Sequence, residues 1–303
     1  MVIFMNKYES DILELLLKDS KLTQRQISER IHLSLGLVNK TIKSLKQKGY
    51  LSNNNRIRIT NKLISLAEKT SPKSAVILAA GSGMRMVPIN VETSNGILRI
   101  KGEVLIERLI KQLQEAGIFD IVVVVGFMKE KYEYLIDKFH VRLIVNSKYF
   151  EKNNLYSVKL AEKKLDNCYI VPCDLYFKEN PFSKIEFSSW YMVSDCKTAD
   201  SSYRINRKSE LVKSRTGNRM IGLCYLTEQD AKRVRKKVEI LCSDSAYDRN
   251  FWETALKEKN KLCIPAKEIS DSDVIEINTY EQLRTADSKS DLIIRPLISS
   301  VKR

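Results

Sequence analysis

Apolar positions in the first fifty residues recur at helical spacing. From Lys7 to Lys18, Tyr8, Ile12, Leu15 and Leu16 share one stripe, and a second periodic segment starts at Thr23 with Ile27 and Ile31 on one face. Thr23 is a good N-cap, because its side-chain oxygen accepts from an orphan N–H at a helix start. A third stripe, Val38, Ile42 and Leu45, runs through residues 37–48, and Gly49 ends it. After the polar turn Ser52, Asn53, Asn54, Asn55 the pattern becomes strict alternation, Arg56-Ile57-Arg58-Ile59, which predicts a small hairpin.

Past Lys69 to Ser74 the pattern changes abruptly. Apolar runs appear at 75–80, 121–125, 142–145 (led by Arg142) and 169–171, with helical stretches between them. One such stretch, Glu103 to Ala116, carries Leu105, Leu109 and Leu113 on one stripe and is stopped by Gly117. Short runs without alternation are strands buried on both faces, so the pattern predicts an α/β domain with a doubly wound mixed sheet. The chain therefore divides into a small helical domain at 1–70, a linker at 71–74, the α/β domain at 75–286 and a C-terminal tail at 287–303, which the pattern does not place. A length of 303 residues fits two units.

Charge sharpens the division. The net charge is +15, and residues 1–75 hold 14 Lys+Arg against 6 Asp+Glu, an excess of +8, so the partners are expected to be anionic. No apolar run approaches the ~20 residues of a membrane helix. Asn6, Lys7, Glu9 and Asp11 break any signal-peptide core, so a cytoplasmic protein without membrane contact is expected. Six cysteines without C-x-x-C spacing and two histidines, His32 and His140, argue against a zinc site or a disulfide framework.

Three helices, a short turn between the second and third, and a basic wing resemble the winged helix-turn-helix domains of bacterial regulators over roughly residues 5–70. The resemblance implies duplex DNA as a partner of residues 23–60. Asn39, Lys40, Thr41 and Lys43 of the third helix would lie nearest bases or phosphates, and Arg56 and Arg58 nearest the backbone. Paired half-sites on DNA imply a homodimer.

In the larger domain a glycine-rich turn, Leu78-Ala79-Ala80-Gly81-Ser82-Gly83-Met84-Arg85, follows the first buried strand, where glycines let backbone N–H groups approach phosphate oxygens. It fits neither G-x-x-x-x-G-K-[ST] nor G-x-G-x-x-G. Together with Pro88, the strand-leading 96–102, Glu103 to Arg108, Gly126, 153–157 and 173–177, it resembles the sugar-phosphate nucleotidyltransferases, and within them the bacterial CTP:phosphocholine cytidylyltransferases.

The resemblance implies attack by a small phosphomonoester such as phosphocholine on the α-phosphate of CTP, giving a CDP-alcohol and pyrophosphate. Leu78, Ala79, Ala80, Gly81, Ser82, Gly83, Arg85 and Gly126 would hold the nucleotide, with Arg85 the cation and a catalytic residue. Asp174 would be the catalytic metal ligand, with Asn278 where the family has a second aspartate, and Mg²⁺ the cofactor. Asn153 and Ser157 would touch ribose or phosphate; the alternative is that they cap a helix. The family's phosphate-binding lysine is replaced by Asn95, with Lys101 or Lys129 as substitutes. A quaternary ammonium acceptor calls for an aromatic cage, and Tyr176, Trp190, Tyr191, Tyr203 and Trp252 are its candidates. The alternative function is a ligand-responsive DNA-binding regulator whose nucleotidyltransferase domain is degenerate, favoured by Asn95 and Asn278.

Overall fold

The computed structural model describes residues 5–53, 57–83 and 94–287. Arg56, Arg85, Pro88 and the tail after Asp287 lie outside the described residues.

The small domain opens with α1 (Lys7–Lys18), α2 (Gln24–Arg30) and α3 (Leu35–Gln47). Reciprocal capping boxes start the first two, Asn6 with Glu9 and Thr23 with Gln26, so two orphan donors are satisfied at each end. Helix α3 starts earlier than its apolar stripe, because Ser34 Oγ caps it by accepting from Leu37 N–H at 3.3 Å. Gly49 then takes φ +75°, a left-handed cap that favours glycine. Leu51 bridges Ile59, and Ser52 N–H donates to Arg58 O, forming the base of the wing. A fourth helix, α4 (Asn61–Thr70), was not foreseen. It buries Leu63, Leu66 and Ala67 against the other three.

The large domain follows in the order β1 (Ser74–Ala79), β2 (Arg99–Ile100), β3 (Glu103–Val104), α5 (Leu105–Glu115), β4 (Asp120–Val125), α6 (Tyr134–Phe139), β5 (Arg142–Val145), α7 (Asn154–Leu160) and β6 (Cys168–Pro172). It continues with β7 (Leu175–Phe177), β8 (Trp190–Thr198), β9 (Tyr203–Ile205), β10 (Glu210–Lys213), β11 (Gly217–Leu226), α8 (Glu228–Cys242), β12 (Lys261–Ile269), β13 (Val274–Glu276) and α9 (Tyr280–Ala286). Since β1 already includes Ser74, the linker is shorter than the sequence suggested. The main sheet runs β5-β4-β1-β6-β11-β8-β12-β10-β9, parallel through its first four strands and mixed beyond.

Alternate residues of β1 explain why its run is unbroken. Ala75, Ile77 and Ala79 pack toward α5 and α6, while Val76 and Leu78 pack toward α7 and α8. The expected strand at 96–102 is mostly a turn of 3₁₀ helix at 95–97, followed by the two-residue β2.

The two domains share a seam. Ile185 and Phe187, from the segment before β8, join the apolar core of the winged helix, and Phe187 is buried. Thr70, closing α4, donates its hydroxyl to Glu186 O at 2.6 Å and accepts the Tyr225 hydroxyl on its own carbonyl. The Glu186 carboxylate is buried and accepts from Tyr169 OH and Trp190 Nε1, both at 2.8 Å, with Lys267 Nζ at 3.4 Å. Glu14 of α1 lines the same cavity of about 110 Å³.

Candidate active site

Strand β1 delivers its carboxyl end into a cleft of about 350 Å³, and the turn Gly81-Ser82-Gly83 forms one wall. Leu78 and Ala80 also line it, whereas Ala79 points into the core beneath the sheet. Gly83 adopts φ +60°, a left-handed conformation that favours glycine, and a Cβ there would press on the Asn95 side-chain amide.

Gly126 does not line the cleft. A Cβ on it would sit 2.7 Å from both Ala80 O and Tyr149 Cβ, and the next residue, Phe127, donates its N–H to Ala80 O at 3.2 Å. The absence of a Cβ lets β4 close behind the turn at 81–83.

The opposite wall comes from the segment around α7. Asn153 lines the cleft and also caps α7, accepting from Asn154 N–H at 2.7 Å while its amide donates to Arg249 O. Ser157, buried in the same wall, accepts from Asn146 Nδ2 at 3.1 Å. Capping and lining are thus both present at this segment.

Asp174 follows β6 and lines the floor, with its Oδ1 buried. Its carbonyl accepts the Ile277 N–H at 2.9 Å, and this bond brings the residues after β13 alongside. Asn278 therefore reaches the same floor. Its Nδ2 donates to Glu276 Oε1, which turns its amide oxygen to the other side. Among the described residues no group of three or more His, Cys, Asp or Glu is placed to hold a metal alone. The donor set of one carboxylate and one amide oxygen suits a hard cation that keeps waters and takes its other oxygens from phosphates.

Asn95 lines the cleft at the start of the 95–97 turn, with Oδ1 buried and no hydrogen-bond partner among the described residues. The expected substitutes for the missing lysine lie elsewhere. Lys101 sits over the Tyr176 ring, and Lys129 does not line the cleft. Lys152 does line it, paired with Asp248 at 2.6 Å, and the sequence reading missed it.

A second cavity of about 890 Å³ adjoins the first, and Asn154, Pro172, Asp174, Phe251 and Asn278 line both. Two cage candidates, Tyr191 and Tyr203, reach it. The other three do not. Tyr176 belongs to a separate cluster beneath Lys101 and Arg108, Trp252 is wholly buried in the core, and Trp190 lies in the domain seam under Lys267. Phe251 and Glu253 are the residues that pattern reading could not find. Phe251 is exposed at the junction of the cavities, and Glu253 accepts from Tyr191 OH at 2.9 Å while its Oε2 is buried without a partner among the described residues. Burial, more than the bonds it makes, pushes the Glu253 carboxyl up.

On the winged helix, Asn39, Lys40 and Lys43 are exposed along α3, and Arg58 is exposed at the wing. Thr41 is corrected: it is buried and donates its hydroxyl to Leu37 O at 2.9 Å, so it does not face DNA.

Comparison with known proteins agrees with both domains. Residues 75–184 match the MobA-like NTP transferase domain, and residues 5–52 match the winged helix-turn-helix DNA-binding family. The choline-phosphate cytidylyltransferase of Haemophilus influenzae is 30% identical over 217 residues, spanning 69% of this chain and 93% of that protein. The 2-aminoethylphosphonate cytidylyltransferase of Lancefieldella rimae is 29% identical over 234 residues, 74% of this chain and 94% of that protein. The solved CTP:phosphocholine cytidylyltransferase of Streptococcus pneumoniae superposes with a TM-score of 0.64 at 26% identity, covering 72% of this chain and 98% of that one. A 30% identical relative matched over nearly its whole length, together with a solved cytidylyltransferase of the same fold, places the chain in the MobA-like nucleotidyltransferase family, among relatives of the bacterial cytidylyltransferases, with a winged helix-turn-helix domain in front.

Proposed function

We propose that the chain is a Mg²⁺-dependent cytidylyltransferase that moves CMP from CTP to phosphocholine or a similar small phosphomonoester. The observation that carries the reading is the meeting of two cavities at Asp174 and Asn278, one beneath the phosphate turn and one large enough for an acceptor. An acceptor phosphate oxygen attacks the α-phosphorus, the bond to the β-phosphate oxygen breaks, and pyrophosphate leaves. Mg²⁺ held by Asp174 and Asn278 would neutralise charge on the phosphates. The turn at 81–83 and the walls at 95 and 153–157 hold the reactants in line.

The test is pyrophosphate release with Mg²⁺, CTP and a panel of phosphocholine, phosphoethanolamine, 2-aminoethylphosphonate and a sugar phosphate. Release that depends on Mg²⁺ and on one acceptor is expected. Asn95→Lys is expected to raise turnover by roughly 10-fold or more, because a cation beside a reacting phosphate acts in a site shielded from water. Silence of the wild type on every acceptor, with activity appearing in Asn95→Lys, would favour the degenerate, nucleotide-responsive regulator instead.

The second reading concerns the winged helix, and the exposed row Asn39, Lys40 and Lys43 with Arg58 favours it. Duplex DNA binding is expected to weaken linearly in log–log form with salt. Replacing Lys40 or Lys43 by alanine should reduce the slope by about one each. Absence of salt-dependent binding to duplex DNA would assign the module to protein contacts.

A further inference from the structure

Tyr132 closes the 129–132 turn and is fully buried, its hydroxyl 2.6 Å from Ser94 Oγ. The same hydroxyl lies against Gly96, where an added Cβ would come within 2.9 Å of it and 3.1 Å of Cys173 Sγ. Ser94 and Gly96 flank Asn95, which lines the nucleotide cleft, and Cys173 directly precedes Asp174. One phenol thus touches the turn that carries Asn95 and the strand end that carries Asp174.

We propose that Tyr132 is a positioning residue for nucleotidyl transfer, its hydroxyl holding Asn95, through Ser94, at a fixed place relative to Asp174. The proposal rests on the transferase reading above. A lysine finds a phosphate with its own flexible four-carbon stem. An asparagine reaches little beyond its backbone, so its placement depends on what holds the turn. At the amide end Oδ1 meets no partner among the described residues. The turn's own bonds, Ile97 N–H to Ser94 O at 3.0 Å and Leu98 N–H to Asn95 O at 3.3 Å, set its shape but not its distance from β6. The Tyr132–Ser94 contact sets that distance. Burial pushes the phenol well above its ordinary range, so it remains a hydroxyl at any working pH.

The test is a double-mutant cycle on CTP affinity, measured by calorimetry with Tyr132→Phe, Ser94→Ala and the double variant, beside melting temperatures. Each single change is expected to weaken CTP roughly 10-fold, the cost of about one lost buried hydrogen bond. The double variant should be no weaker than the worse single, since both remove the same contact. Unchanged affinity with a lowered melting temperature would mark a merely structural hydroxyl and overturn the proposal, as would additive losses. If Tyr132→Phe does not fold, Ser94→Ala alone decides by the same affinity criterion. A wild type that binds no CTP removes the transferase reading and the proposal with it, and is distinguished by the wild-type measurement itself.

Discussion

Replacing Asp174 with alanine is expected to lower pyrophosphate release by roughly 10³-fold or more while leaving the melting temperature within a few degrees of wild type. The size follows from position. Asp174 is the carboxylate on the floor shared by both cavities, and in the proposed reaction the charge that accumulates on the transferring phosphate would be met there. Removing one preorganised electrostatic partner from such a site costs several kcal/mol in the transition state, about 1.4 kcal/mol for each factor of ten. The fold should survive, because the structural bond at this residue is made by its carbonyl to Ile277 N–H and alanine keeps it. Conservative replacement by asparagine should leave more activity than alanine, as Asn278 supplies an amide oxygen on the same floor. Wild-type turnover in Asp174→Ala would remove the metal from this end of β6.

Replacing Glu14 with glutamine is expected to stabilise the protein above pH 7 by about 3 kcal/mol and to change little near pH 4.5. Glu186 has three donors, whereas Glu14 lines the same cavity with no hydrogen bond or ion pair among the described residues. Burial, and then the Glu186 carboxylate, pushes Glu14 up to about 7, against the partial relief of Lys267 and Lys18. Asp11 adds to the upward push, and Glu268 lines the same cavity. The sign follows from comparing the two states. Below about 4.5 Glu14 is protonated both in the docked fold and in the open chain, so it contributes no difference. As pH rises toward 7 the open chain loses the proton first, and the docked fold becomes progressively less favourable. Above 7 both states are ionised and the loss is constant. Denaturant melts of wild type and Glu14→Gln at pH 4.5, 6 and 8 should diverge across that window; parallel curves at all three would show that Glu14 meets water in the folded protein.

What the sequence made legible depends on burial. The runs at 75–80, 121–125, 142–145 and 169–171 match β1, β4, β5 and β6 to within a residue or two; β1, β4 and β6 are covered on both faces and so are apolar almost throughout, while β5 is a half-exposed edge strand that opens on Arg142. The second half of the sheet was not readable. Strand β11 shifts register twice against β8, so no period of two survives along it. That two of the five cage candidates reach the larger cavity while three do not has a related reason. Trp190 and Tyr191 are neighbours on one strand, so their side chains leave on opposite faces, one into the domain seam and one into the larger cavity. Residue type does not reveal which is which. The departure at Asn95 was legible, but the contact that holds its turn joins Ser94 to Tyr132 across 38 positions, and only the fold brings them together.

Phe187 carries an implication for how the two modules relate. It is encoded more than a hundred positions after α4, yet it fills the interior of the winged helix, with Ile185 against it. A fragment ending at residue 70 would present a hole where that ring belongs. The front module is therefore not a cassette that recombination or cloning can lift out at the linker. Any transplant onto another carrier must bring a stand-in for residues 185–187.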